Sequence, residues 1–479
     1  MSATPVVVAI DQGTTSTRSV SLDADGKTTV RHAVEHQQFY PNENWVEHDP
    51  EELVQNIELC LEASGGADAI AIDNQGESCL AWDAETKEPL SQVVVWQDSR
   101  TQKAVDQLKL DGVEPEVLSR SGLPLDSYFS ASKLAWLYES LPEAKSLHSR
   151  GRLRLGTTDA FFLDRLTGHC KTDISTASRT SLLNIDTGEW DSELCRIFNV
   201  PIDALPPVSD STGDFGSIQV CGKKIPVTAS IVDQQAALYG HGCRANGDAK
   251  ITFGTGAFAL MVTGSKIVRA PEKGLLPTVA WRHAGEPATF AIDGGVYTAG
   301  AAVNWARGLG LFETFDQINA FDGEPAIEKG LVFVPALAGL ACPHWNRDAR
   351  GTWFGMALET KKQDLVRAVL EGVAFRTAEV IDAMNTLIPV SGDLSIDGGL
   401  SSNPYFMQFL CNVLERPIVV SSEAELTASG AARMAADCIG KPVPSPESGQ
   451  RYITKTPRAD TRERFAEACR LAASWSGRV

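Results

Sequence analysis

Two stretches of this chain share one build, and that repetition constrains the fold more than anything else in the sequence. Residues 6–22, "VVVAIDQGTTSTRSVSL", run from an apolar strand through a polar glycine/threonine turn into a second strand. Residues 248–264, "DAKITFGTGAFALMVTG", do the same around Gly254-Thr255-Gly256. Short apolar runs bounded by turn residues read as buried strands. Two such units, one opening each half, predict an internally duplicated fold whose halves face each other across a cleft. A polar hairpin tip would look the same in either copy alone. A turn rich in hydroxyls and unobstructed backbone N–H groups is also what cradles phosphate.

The segments between the two units alternate strands and helices. "HDPEELVQNIELCLEASG" predicts a helix with Asp49 as N-cap, Pro50 at the first helical position and Glu52 closing a capping box. Ala69–Asp73 reads as a strand leading into the loop 74–77, and "CLAWDAETKEPLSQVVVWQD" as a hairpin ending in a buried strand. "SASKLAWLYESLPEAKSL" is an amphipathic helix interrupted at Pro142, and "IPVTASIVDQQAALYG" is a strand, an acid and a helix. "LSIDGGLSSNPYFMQF" is a strand, a glycine turn and a helix opened by Pro404. This order predicts an α/β protein with a mixed sheet in each half. The repeat places the boundary near residues 240–250, with domains at 1–245 and 246–479.

The 479 residues carry 43 Lys and Arg against 61 Asp and Glu, a formal charge of −18. That balance disfavours nonspecific binding to nucleic acid or anionic membrane. The ten cysteines contain no CxxC pair and read as reduced structural thiols. The first strand follows the N-terminus directly, and the longest apolar stretch, 331–342, holds Pro335 and is too short to span a bilayer. The expectation is a cytoplasmic protein without a signal peptide.

Several polar residues stand at strand ends or in turns where they can meet a nucleotide. Thr14, Thr15 and Arg18 belong to the first turn, and Gly254, Thr255 and Gly256 to the second. Asp11 ends the first strand, placed to hold Mg²⁺ directly or through water. Asp233 follows another apolar strand and is placed to accept a proton from a substrate hydroxyl.

These segments, in this order, resemble the FGGY family of carbohydrate kinases, and within it the glycerol kinase branch. "AIDQGTTSTR" is similar to the first phosphate motif, and "DNQGESCLAWD" with "VVVWQD" to the substrate loop. "IVDQQAALYG", "FGTGAFALMVTG", "GGVYTAGAAVNW" and "DGGLSSNPYFMQF" follow in family order, and "GTWFGMALETKKQDLVRAVLE" fits a family signature throughout. The resemblance implies two actin-like, ribonuclease H-like ATPase domains facing each other across a central cleft. It implies ATP and Mg²⁺ as cofactors and transfer of phosphate to a terminal hydroxyl of a small polyol. Glycerol, giving glycerol 3-phosphate, is the first expectation, erythritol, another tetritol or pentitol, or a ketose the alternative, and a non-catalytic actin-like ATP-binding protein the third reading.

Residue by residue, the resemblance makes Asp233 the base and, with Asp11, a metal contact, and puts Arg18 beside the transferred group. It gives Glu77, Trp96, Tyr128, Gln234 and Phe258 to the substrate pocket. Thr14, Thr15, Thr255, Gly256, Gly300, Gly399 and Asn403 fall to the nucleotide. An assembly of two or four copies is also expected. Gly76 departs from the branch, which has arginine there, and predicts a vacated volume with a missing hydrogen-bond donor. Glu425, Arg433, His48 and His344 read as residues without a site role, the first two as surface.

Overall fold

A computed structural model of the chain describes residues 5–445 and 449–476. It contains two large mixed sheets. The first runs Ser217–Val220, Lys223–Val232, Ala69–Asn74, Val7–Gln12, Ser16–Leu22, Thr28–Glu35. The second runs Leu276–Trp281, Thr289–Val296, Ala257–Gly264, Ala249–Phe253, Leu394–Gly398, Ile418–Val420, Gln450–Tyr452. In each, the strand before the polar turn pairs antiparallel with the strand after it and parallel with a later one. Asp11 lies opposite Arg18 and Asp73, and Thr252 lies opposite Phe258 and Asp397. The duplication expected from the two turns is present in strand order and polarity, with the second turn one residue shorter than the first.

The central strands are apolar because both faces of the sheet are covered. Val8, Ile10, Ile70 and Ile72 pack against the Pro50–Ser64 and Thr158–Thr167 helices. On the other face Val7, Ala9, Ala69 and Ala71 meet Ala236, Leu238, Ala428, Ala431 and Ala435. The last three belong to the Leu426–Cys438 helix, so a late segment returns to cover the first sheet. Glu47–His48, Val93–Val94, Cys79–Asp83 and Leu153–Thr157 form a smaller sheet, whose Cys79–Asp83 strand follows the loop 75–78. No helix among the described residues is long and apolar enough to cross a membrane.

Small residues permit the close crossing of the Asp233–Gly240 and Leu426–Cys438 helices. A Cβ on Gly430 would lie 1.8 Å from the Ala236 carbonyl oxygen, and one on Gly240 would lie 2.1 Å from that of Leu426. The crossing corrects the surface reading of the two charged residues on this segment. Arg433 is buried, donating to Ser429 Oγ at 3.1 Å, to the Gly26 carbonyl at 2.9 Å and to the Pro444 carbonyl. Half-buried Glu425 pairs with Arg18.

Two further local expectations change. Asp49 caps its helix by accepting from the Glu51 N–H, but the Glu52 carboxylate turns to the Gln37 N–H and makes no capping box. His344 is not isolated: its Nε2 lies 3.3 Å from Glu379, which also pairs with Arg376.

The glycine crossing sets a test. Gly430→Val is expected to cost about 1–3 kcal/mol or more in urea unfolding, because its side chain meets backbone that cannot swing away. Gly308→Ala, in a helix with open space around the added methyl, is expected to be neutral or stabilising. Equal effects of the two changes would contradict the packing argument.

Candidate active site

The three parallel strands of the first sheet each deliver a carboxylate to the same edge. Asp11 and Asp73 are register partners near the ends of the Val7–Gln12 and Ala69–Asn74 strands. Asp233 follows Val232, itself the partner of Asn74. Strand polarity thus gathers residues far apart in sequence. Asp73 is fully buried, and neither of its carboxylate oxygens has a hydrogen-bond donor among the described residues. Burial first, then the charge of Asp11, holds its carboxyl well above the usual range. Asp11 is raised by burial too, with the Arg18 charge opposing and the Glu425 charge adding to the rise. Two such carboxylates side by side need either a proton between them or a cation. The pair fits Mg²⁺, which takes one or two carboxylates and fills its other positions with water and phosphate oxygens.

Beside this edge lies a cleft of about 190 Å³. Thr14, Gly76, Glu77, Trp96, Tyr128, Asp233, Gln234 and Phe258 line it, all residues expected at the site. Arg179, Gln235, Leu260 and Asp293 line it as well. Trp96 Nε1 donates to Thr14 Oγ1 at 3.0 Å, and its ring stands edge-on to Tyr128 at 5.7 Å. Thr14 thereby joins the first turn to the pocket wall. Glu77 sits in the left-handed backbone region with φ 59°, a conformation uncommon for a side chain of its size. Its carboxylate accepts from Arg179 Nε at 2.7 Å.

Burial, then the charge of Glu77, pushes the Asp233 carboxyl up to about 7, while the Gln234 N–H and Lys250 oppose the shift. The Gln234 N–H donates to Asp233 Oδ1 at 2.6 Å. Lys250 is fully buried and donates to Gln234 Oε1 and Thr252 Oγ1, each at 2.8 Å. A lysine of the second sheet thus fixes the amide beside Asp233. Lys133, also fully buried, donates to the Ser127 and Tyr128 carbonyls at 2.7 Å and the Trp96 carbonyl at 3.4 Å.

The remaining expected residues stand outside the cleft. Thr15 is exposed at the first turn, and its carbonyl accepts from the His36 N–H at 3.2 Å. Arg18 donates to Glu425 at 3.0 Å. Thr255 is exposed in a turn packed onto the Gly300–Gly308 helix, where Gly300 donates its N–H to the Gly254 carbonyl at 3.0 Å. A Cβ on Gly300 would come within 2.5 Å of that oxygen, and one on Gly256 within 2.6 Å of the Val296 carbonyl oxygen. Gly399 follows Gly398, whose φ of 90° lets the chain pass against Phe253. These residues collect along one edge of the second sheet. Asn403 is buried and spends its side chain on the Phe406 N–H and the Ile318 carbonyl.

The N-terminal domain model of the FGGY family of carbohydrate kinases matches residues 6–240, and its C-terminal domain model matches residues 249–438. The chain belongs to the FGGY family of carbohydrate kinases. The glycerol kinase of Alkalilimnicola ehrlichii is 40% identical over 98% of this chain and 99% of its own length. That of Haloferax volcanii is 40% identical over 92% and 91%. Among solved structures, that of Plasmodium falciparum glycerol kinase with ADP superposes with a TM-score of 0.90 at 30% identity, covering 99% and 98% of the two chains. The fold is the two-domain mixed α/β fold of this family, and the chain is an ATP-dependent carbohydrate or polyol kinase.

Asp73, Lys133, Arg179, Lys250 and Asp293 were not singled out by sequence reading. The one available signal was a charged residue inside an otherwise apolar strand, as in "AIAIDN", "AKITF" and "TFAIDGG". For Lys133, truncation should cost about 2–5 kcal/mol, since three carbonyls lose a buried donor. Lys133→Met is therefore expected to lower the urea midpoint and raise the KM for the acceptor more than that for ATP. Unchanged stability and KM would remove Lys133 from the pocket's support.

Proposed function

We propose that the enzyme transfers the γ-phosphoryl group of ATP to a terminal hydroxyl of glycerol, giving glycerol 3-phosphate and ADP. The observation that carries this reading is the convergence of Glu77, Trp96, Tyr128, Asp233, Gln234 and Phe258 on one small cleft beside the Asp11–Asp73 pair. The names of the relatives, glycerol kinases aligned over nearly the whole chain, support the same acceptor.

Phosphoryl transfer asks a protein for in-line positioning and for neutralisation of charge. Glu77 accepts hydrogen bonds from the polyol, and Phe258 and Trp96 lie against its carbon chain. Asp233 orients the attacking hydroxyl and takes its proton as the new O–P bond forms and the bond to the ADP oxygen breaks. Arg18 supplies positive charge near the transferred group. Thr14 and Thr15 in the first turn, with Thr255, Gly256, Gly300 and Gly399 on the second sheet, hold the phosphate chain and nucleotide from opposite sides. Asn403 supports this edge through its helix cap. Asp11 and Asp73 would hold Mg²⁺, which when bound neutralises phosphate charge. Asp233, beyond serving as base, sits close enough for its field to be felt by this pair.

A coupled ADP-release assay across glycerol, erythritol, threitol, xylitol and the pentuloses tests the acceptor. Glycerol is expected to give the highest kcat/KM, and a tenfold preference for any other would replace it. Asp233→Asn is expected to lower kcat by about 10²-fold or more while leaving ATP binding nearly intact. Near-normal turnover in that variant would end the assignment.

The charge state of Asp233 adds a sign. Only the deprotonated carboxylate can accept a proton, so kcat/KM for the acceptor should fall as pH drops through about 7. Lys250 favours the charged form of Asp233, so Lys250→Met is expected to move that midpoint to higher pH. A midpoint that stays or moves down would show that Lys250 does not act on the base.

A further inference from the structure

We propose that Arg179 is the guanidinium that binds the polyol in this chain, gripping a substrate oxygen other than the one Asp233 deprotonates. This rests on the reading of the cleft as the polyol site. Position 76 offers no side-chain donor, because it is glycine. Nor is the space beside it simply open: a Cβ on Gly76 would lie 2.9 Å from a Val232 methyl. Among the residues lining the cleft, Arg179 is the sole cationic side chain, and it pairs with two of the three acids there, Glu77 and Asp293.

The guanidinium is only partly used by the protein. Nε donates to Glu77 Oε1 at 2.7 Å, and Nη2 lies 3.3 Å from Asp293 Oδ2. The guanidinium carbon sits 5.4 Å from the centre of the Phe129 ring. Nη1 is buried and has no hydrogen-bond partner, although the residue is only 6% exposed. Arginine has five donors and no acceptor, so whatever completes Nη1 must present a lone pair. A hydroxyl or ketone oxygen does so, and an ammonium cannot. The ligand atom at Nη1 is therefore a hydroxyl or carbonyl oxygen, as a polyol or ketose supplies. Glu77, an acceptor on the same cleft, complements this by taking a hydroxyl hydrogen.

The same side chain joins the two sheets' territories. Glu77 follows the first sheet's Ala69–Asn74 strand, whereas Asp293 lies within the second sheet's Thr289–Val296 strand. A substrate oxygen that completes the Arg179 donor set would therefore favour the arrangement in which both carboxylates are in reach. Polyol binding and approach of the two halves become one event through this residue.

Arg179→Lys keeps the charge and loses the fork, and it is measured with the polyol that the wild-type enzyme turns over best. The Kd for that polyol without nucleotide is expected to rise about tenfold or more, with the KM for ATP within twofold and the melting curve close to wild type. Analogues lacking one hydroxyl, for glycerol propane-1,2-diol and propane-1,3-diol, separate binding from support. If Arg179 holds an oxygen, wild-type discrimination against one analogue should collapse in the variant, as in a double-mutant cycle. A wild-type Kd in Arg179→Lys, or discrimination against both analogues left intact, would overturn the proposal. Failure of the base assignment would show elsewhere: Asp233→Asn would keep turnover while the Arg179 result stood unchanged.

Discussion

The structure depends on one electrostatic problem, a group of carboxylates gathered in and beside one small cleft. Asp11, Asp73 and Asp233 arrive there because three parallel strands end at the same edge, and Glu77 and Asp293 arrive from flanking segments. Burial raises the carboxyl of every one of them. Concentrating them does not stabilise the fold, because desolvation of buried charges generally equals or exceeds what pairing returns. Such an arrangement persists because the cations that compensate it hold the site's geometry. Arg179 answers Glu77 and Asp293, Lys250 faces Asp397, Asp233 and Asp293, and Arg18 lies between Asp11 and Glu425.

Close backbone approach makes that geometry possible. The Gly240–Gly430 crossing brings the helix opened by Asp233 against the helix that begins after Glu425, so Asp233 and the partner of Arg18 share one packed block. On the second sheet, Gly300 and Gly398 let the Gly254–Gly256 turn pack directly on the neighbouring helix and strand. A side chain at these positions would displace backbone rather than rotate away. The polar turns are thus held from beneath, which is what an anion site built from backbone N–H groups requires.

Much of this was legible in the sequence, and the losses have a common cause. The two strand–turn–strand units, the acids Asp11 and Asp233 and the pocket aromatics all carry local signals: apolar runs, glycine punctuation, an acid at a strand end. Arg179 carries none, since "STASRTS" reads as an ordinary polar segment, and its partners lie 102 residues before and 114 after it. Lys133 and Lys250 are lysines, a residue type expected in water, and only the folded arrangement of carbonyls and carboxylates explains their burial. The reverse error has the same origin. Glu425 and Arg433 looked like surface charge because their partners, Arg18 and the Gly26 carbonyl, come from the first strands of the chain. Glu52 lost its capping role to a tertiary partner, the Gln37 N–H.

Two cross-sheet contacts also bear on closure. Arg179–Asp293 and Lys250–Gln234 each join the first half to the second sheet, whereas Arg18–Glu425 stays beside the first sheet, on which the Leu426–Cys438 helix packs. With the cleft open and wet, each contact is screened and worth little; with water excluded, the same distances give interactions several times larger. Closure therefore strengthens the contacts that favour closure. A polyol that fills the space among Glu77, Arg179 and Asp233 removes the water that would screen them. In the proposed reaction, desolvation by the acceptor would then strengthen these two links without any new contact to the second sheet. In the proposed reaction, water would thereby be kept from competing for the phosphoryl group while Asp233 activates a hydroxyl.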